Sequence, residues 1–239
     1  MNYNNSPFFG LFLAFLFISQ ISLSQSRPLI AEDVEQQRVW VDSVYNSMSL
    51  KEKVGQLFMI DVFSSDPESK IEKARELVEQ HHVGGIIFSK GGPNRQLKLQ
   101  NELQDLSKIP LLIGMDAEWG LAMRLDSTYA FPWNMTLGAI QDENLITEVG
   151  ASIARHSKRL GVHMNFAPVV DINTNPENPI IGNRSYGENK NNVSRKAIAF
   201  LKGMQREGVI GSAKHFPGHG DTERDSHKTL PTIDFSRER

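Results

Sequence analysis

The chain has 239 residues, 39% of them hydrophobic and 23% charged, a balance that supports one large folded domain or two small ones and excludes a disordered tail. Its 26 Lys and Arg against 28 Asp and Glu leave a net charge of −2, which gives no electrostatic case for nucleic acid or an anionic membrane as partner. A neutral or mixed ligand is expected. The absence of cysteine excludes disulfide frameworks, thiolate zinc sites and cysteine nucleophiles together.

The chain opens "MNYNNSPFFGLFLAFLFISQISLSQS", an apolar run from Phe8 to Ile18 followed by small residues, with Ser22 and Ser24 spaced for a small-x-small cleavage site. Residues 1–24 read as a secretory signal peptide, which implies export to the periplasm or beyond the cell, although no Lys or Arg precedes the run. A membrane anchor is the alternative, but the run is shorter than the ~20 residues a span needs, and Ser19 and Gln20 interrupt it. Residues 25–48 form a lead-in to the main domain, 49–239.

From Ser49 a pattern repeats: an amphipathic helix, a Gly or Pro turn, then a short apolar run ending in polar residues. "SLKEKVGQLFM" begins with a capping box, Ser49 with Glu52, and leads into "FMIDVF". "ESKIEKARELVEQHHVGG" places Ile71, Ala74, Leu77 and Val78 on one face, with Gly84 and Gly85 as its stop, before "IIFS". "RQLKLQNELQDLSKIP" carries Leu99, Leu103 and Leu106 before "LLIGMD". "DENLITEVGASIARHSKRLG" carries Leu145, Ile146, Val149 and Ile153 before "VHMNFAPVVD". "NNVSRKAIAFLKGMQREG" carries Val193, Ala197, Phe200, Leu201 and Met204 before "VIGSAKHF".

Apolar strands buried on both faces and alternating with helices predict a parallel α/β sheet. The polar residues Asp61, Asp116, Asp171, Lys214 and His215 follow the strands' C-terminal ends, the rim where a (β/α)8 barrel builds its active site. A doubly wound sheet binds at one crevice, usually with a Gly-rich phosphate loop. No such loop is present, so the pattern favours the barrel.

The segment "GSAKHFPGHGDTERDSHKTLP" concentrates His215, His219 and His227 among glycines and carboxylates. Three readings are open. His215, His219, Asp221 and His227 are metal-ligand types, but Pro217, Gly218 and Gly220 oppose the helix that an i, i+4 His pair needs, leaving only a loop-built site. Lone histidines, His219 above all, often serve only to satisfy backbone groups. The third reading is acid/base chemistry: Asp225 and His227, two apart, share one side of an extended segment, where the carboxylate orients the imidazole. Gly218 and Gly220 would let such a loop move over a substrate.

"KHFPGHGDTERDSHKTLP" resembles the signature of the family 3 glycoside hydrolases, in particular the branch of bacterial β-N-acetylglucosaminidases, with Asp-x-His as the branch-specific element. "EKVGQLFM", "GGIIFS", "IGMDAEWG" and "NFAPVVDINTNPENPIIGNRSYG" agree in the same order, covering about residues 49 to 235. The resemblance implies a TIM-barrel domain and removal of terminal β-linked N-acetylglucosamine from peptidoglycan or chitin fragments, with no metal or cofactor. It implies that His227 is the acid/base and Asp225 its orienting partner, and that Asp116, Arg124, Arg184, Lys214 and His215 hold the sugar hydroxyls. Plainer roles stand beside these: Arg184 as a loop salt bridge, and Asp116 as a helix cap. Trp119 departs from the family, which commonly has a Gly pair after Asp-x-Glu, and either packs at the site rim or fills a core. Phosphorolysis of the same bond and a non-catalytic sugar-binding role are the competing functions.

A retaining glycosidase also needs a nucleophilic carboxylate. The resemblance puts that Asp on a later strand than the Asp-x-His loop. About five of eight β/α units are expected within the 239 residues, and the chain alone is expected to be inactive. Asp221, Glu223 and Asp234 lie too close to the loop to substitute.

Overall fold

The computed structural model describes residues 33–233. The proposed signal peptide, the first part of the lead-in and Asp234 lie outside them. The rest of the lead-in is helical: α1, Val34–Ser47, is capped by Asp33, whose side chain accepts the Gln36 amide at 2.9 Å, and it buries none of its residues. No described helix is long and apolar enough to cross a membrane.

Helix α2, Leu50–Gly55, starts where the capping box predicts. Ser49 Oγ accepts the Glu52 amide at 3.3 Å, and Glu52 returns a carboxylate oxygen to the Ser49 amide at 2.7 Å, so two orphan donors of the first turn are satisfied. Lys108 Nζ, 2.5 Å from the other Glu52 oxygen, and Ser49 hold that carboxyl down to about 2. Strand β1, Met59–Phe63, follows, then α3, Glu68–His81, and β2, Gly85–Lys90. Helix α3 buries Ile71, Ala74 and Val78. It ends on His82 in the left-handed conformation (φ 52°), not on the Gly pair expected to stop it. Those glycines serve packing: a Cβ on Gly84 would lie 2.3 Å from the Gln56 carbonyl oxygen, and one on Gly85 2.4 Å from that of Leu112.

Helix α4, Pro93–Leu106, buries Leu99 and Leu103. Gln96 and Gln100, rather than the 37% exposed Leu106, complete its buried stripe. After β3, Leu112–Met115, come the short α5, Asn134–Gly138, and the long α6, Glu143–Arg159. Strand β4, Met164–Asn165, then leads to α7, Lys190–Arg206, and β5, Ile210–Gly211. Helices α6 and α7 begin on Asp142 and Asn189, whose side chains accept first-turn amides. The two helices approach through glycines, since a Cβ on Gly150 would meet the Phe200 carbonyl oxygen at 2.2 Å and one on Gly203 that of Thr147 at 2.0 Å. Leu145, expected on the buried stripe of α6, is exposed, while Ile146 and Ile153 fill the interface.

The five strands are all parallel and lie in chain order, β1-β2-β3-β4-β5. A doubly wound sheet reverses its strand order at a switch point. Sequential order with a helix in each crossover winds one way only and is the arc of a barrel, five strands and the four helical crossovers between them among the described residues. The strands are buried on one face, not both. Ile86, Phe88, Ile113 and Met115 are fully buried under the helices, whereas Ile87 is half-buried and Leu112 exposed on the concave face. An arc of five strands covers its convex side with helices, but its concave side is lined only by its own side chains.

Candidate active site

The sheet delivers Asp116, Asp171, Lys214 and His215 to one rim, whereas Asp61, expected there too, lies within β1 and pairs with Ser89. Register pairs Gly114 with Met164 and Met115 with Asn165, then Asn165 with Gly211, so the chain following each strand leaves at the same level. An isolated bridge between Val169 and Lys214 carries the β4–β5 pairing further towards the rim. The Val170 amide donates to the Lys214 carbonyl at 2.7 Å, and the Lys214 amide to the Pro168 carbonyl at 3.1 Å. Along this stretch the peptide bonds Ala167–Pro168, Lys214–His215 and Phe216–Pro217 are cis.

Here Lys214 Nζ stands 2.7 Å from Asp116 Oδ1 and 2.8 Å from Glu118 Oε1. Arg124 donates to Asp116 Oδ2 at 2.6 Å. Arg184 forms a two-pronged pair with Glu118, Nε to Oε2 at 3.0 Å and Nη2 to Oε1 at 2.8 Å, and its Nη2 lies 3.4 Å from His215 Nε2. Five of the seven residues singled out in the sequence thus form one alternating cluster of cations and carboxylates. Burial pushes the Asp116 carboxyl up, but the hydrogen bonds and charges of Lys214 and Arg124 outweigh it and hold the group below its ordinary value. Glu118, whose side chain is fully buried, is likewise raised by burial and lowered further by Arg184 and Lys214. Burial would lower Arg184, and Glu118 reverses that. Asp116 caps no helix, and Arg184 is indeed an ion-pair residue, but one built into the cluster.

One residue of this site, Glu118, escapes the sequence reading, and another, Asp171, is placed on the rim by the sequence but given no role. Glu118 lies two positions past Asp116, the one signal that both project to the same side of an extended strand end. Asp171, fully buried, accepts three N–H groups: His215 Nδ1 at 2.6 Å, the His215 amide at 3.1 Å and the His219 amide at 2.6 Å. Its position past a strand was visible; its partners were not.

The loop beyond His215 is anchored, then opens. His219 is buried, its Nδ1 bonded to Thr222 Oγ1 and its Nε2 3.0 Å from Ser226 Oγ, a structural role as suspected, but made through side-chain hydroxyls and not backbone groups. Asn178 Nδ2 donates to the His219 and Thr222 carbonyls at 2.7 and 2.8 Å. Gly220 passes so close to the preceding strand's extension that a Cβ would lie 1.8 Å from the Ile172 carbonyl oxygen. Further on, Asp225 Oδ1 accepts both the His227 amide and His227 Nδ1, each at 2.8 Å. These contacts, the amide first, hold the Asp225 carboxyl below its ordinary value. The pairing arises from a tight turn in which the carboxylate bonds the backbone two residues on, not from an extended segment. The His227 side chain is 80% exposed.

Among the described residues, no group of three or more His, Asp or Glu side chains is arranged to hold a metal ion. Trp119 stacks on the exposed Trp133, ring centroids 4.1 Å apart, rather than filling a core. The next residue after Trp133, Asn134, donates to the Arg184 carbonyl at 2.7 Å, so the aromatic pair flanks the cluster. A separate groove of about 540 Å³, lined mainly by apolar residues such as Val54, Phe58, Ile60 and Leu77, holds no part of this cluster.

A barrel arc with a charged C-terminal rim and a His-bearing loop has the form of an enzyme active site of the (β/α)8 class, and comparison with known proteins specifies the family. Residues 49–239 match the glycosyl hydrolase family 3 N terminal domain, and the chain belongs to that family. The β-hexosaminidase A of Pseudoalteromonas piscicida is 38% identical over 177 residues, 69% of this chain and 30% of that protein. A β-hexosaminidase of Neisseria meningitidis is 35% identical over 170 residues, 67% of this chain and 47% of its own. Among solved structures, a family 3 β-N-acetylglucosaminidase from a Paenibacillus species is similar with a TM-score of 0.72 and 43% identity, covering 80% of this chain and 38% of that one. A β-glucoside phosphorylase is similar with a TM-score of 0.75 and 30% identity, covering 81% and 34%. The chain therefore spans about a third to a half of the length of these relatives.

Proposed function

We propose that this chain carries the sugar-holding rim and the acid/base loop of a retaining glycosidase that releases terminal β-linked N-acetylglucosamine. The observation that carries the reading is the Asp225–His227 pair, with Asp225 Oδ1 2.8 Å from His227 Nδ1 and the imidazole exposed on a loop that begins at the charged rim. In this reading Asp225 fixes the Nδ1 proton, and Nε2 gives a proton to the leaving oxygen as the glycosidic bond breaks. The same nitrogen then takes a proton from the water that releases the sugar. Asp116, Arg124, Arg184, Lys214 and His215 hold the hydroxyls of the terminal sugar through directed, charge-assisted hydrogen bonds.

Asp116, Glu118 and Asp171 are each committed to two or more donors, which suits them to holding rather than attack. We assign the nucleophilic carboxylate to a position outside residues 33–233. The β-hexosaminidase and β-N-acetylglucosaminidase names of the relatives support an N-acetylated substrate, for which we propose peptidoglycan or chitin fragments as the source, and the apolar run from Phe8 to Ile18 supports export. The test is turnover of an aryl β-N-acetylglucosaminide against the matching β-glucoside by the full-length enzyme. Preference for the N-acetylated substrate is expected, and preference for the glucoside would overturn the assignment.

Phosphorolysis of the same bond is the second reading, favoured by the likeness to a β-glucoside phosphorylase. A neutral imidazole repels incoming phosphate less than a carboxylate base does. Chromatographic detection of sugar 1-phosphate in phosphate buffer separates the two.

A further inference from the structure

We propose that Asp171 is a positioning residue that sets the tautomer of His215 and ties the root of the acid/base loop to the sugar-holding rim. Its side chain is fully buried, and both oxygens are used. Oδ2 accepts His215 Nδ1 at 2.6 Å and the His215 amide at 3.1 Å, while Oδ1 accepts the His219 amide at 2.6 Å. A carboxylate accepts and does not donate, so the His215 ring proton resides on Nδ1. That leaves Nε2 with its lone pair facing the Arg184 guanidinium, 3.4 Å away, an N–H donor that suits an acceptor there. The imidazole therefore presents an acceptor to the rim, and a sugar hydroxyl would take it for its O–H by displacing this long Arg184 contact.

The other oxygen acts on the loop. The His219 ring is pinned by Thr222 and Ser226, its carbonyl by Asn178, and Gly220 seats against Ile172. Asp171 Oδ1 holds the amide at the start of this anchored stretch, eight residues before His227. One carboxylate thus joins the group that reads the sugar to the segment that delivers the acid/base.

The inference deepens the function proposed above and is tested separately from it by nitrogen-resolved NMR of the histidine rings. In the unaltered protein, without ligand, His215 is expected to show a protonated Nδ1 and an unprotonated Nε2; the reverse pattern would overturn the proposal whatever the substrate. In Asp171→Asn, which preserves size but can offer an N–H to one of the donors, that pattern is expected to be lost and amides 218–228 to exchange faster. N-acetylglucosamine should bind about tenfold more weakly, the scale of one charge-assisted hydrogen bond. Retention of both the ring pattern and the loop protection in a folded variant would sink the idea. If the variant does not fold, the ligand-free tautomer decides. Failure of N-acetylglucosamine to bind the unaltered protein would count against the proposed substrate and leave the tautomer result intact.

Discussion

Asp225 grips His227 twice through one oxygen, taking the backbone amide and ring Nδ1 at 2.8 Å each. The carboxylate orients an otherwise exposed imidazole without burying it, and this relationship generates the first prediction. In the active enzyme, His227→Ala should cut turnover by roughly 10²–10⁴-fold on a poor leaving group and far less on an activated aryl glycoside. Equal losses on both substrates would remove His227 from the proton-transfer role.

Asp225→Asn should lose part of the same effect, about tenfold, because an amide keeps one acceptor for the turn but not the charge that favours the Nδ1 proton. Steady-state kinetics on the poor substrate measures it, and wild-type turnover would reduce Asp225 to a loop anchor.

Glu118 bridges Lys214 and Arg184 from a fully buried position. Glu118→Gln would take from Arg184 its two-pronged carboxylate partner and leave Lys214 with Asp116 alone, and breaking a buried pair typically costs about 3–5 kcal/mol. Urea denaturation should show a loss of that order. A change of a few tenths would mean that the cluster contributes nothing to folding.

The same cluster predicts acid sensitivity with a definite sign. Asp116 and Glu118 sit below their ordinary values of 3.8 and 4.5, so the native state binds these protons less readily than the unfolded chain. Their stabilisation is fully present above those ordinary values and is lost as pH falls through the depressed native ones. Stability measured from pH 6 downwards should therefore fall more steeply for the unaltered protein than for Glu118→Gln. Parallel curves would contradict this.

Gly150→Ala places a methyl group 2.2 Å from the Phe200 carbonyl oxygen and must push α6 away from α7. Overpacking of this kind costs about 1–3 kcal/mol. Calorimetry should show a lowered Tm, while a polar substitution at the exposed Leu145 on the same helix should leave it nearly unchanged.

The sequence by itself determined the local parts of this protein. The Ser49–Glu52 box, the stripes of α3, α6 and α7 and the alternation of helix with strand all depend on residues within a turn or two of one another. Asp225 and His227 were legible as a pair because they are two positions apart, although a turn and not an extended segment joins them. Only the tertiary structure decided which charges meet. Lys214 reaches Asp116 across 98 positions, and Arg184 reaches Glu118 across 66. Those contacts depend on strand order and register, and no local propensity encodes a partner that distant. The same holds for Asp171, whose role exists only because β4 and β5 lie side by side, and for Gly84 and Gly85, whose missing side chains matter because other strands and loops press against them. His82 ends α3 in the left-handed region that a glycine would enter more easily, so here too packing overrode local preference.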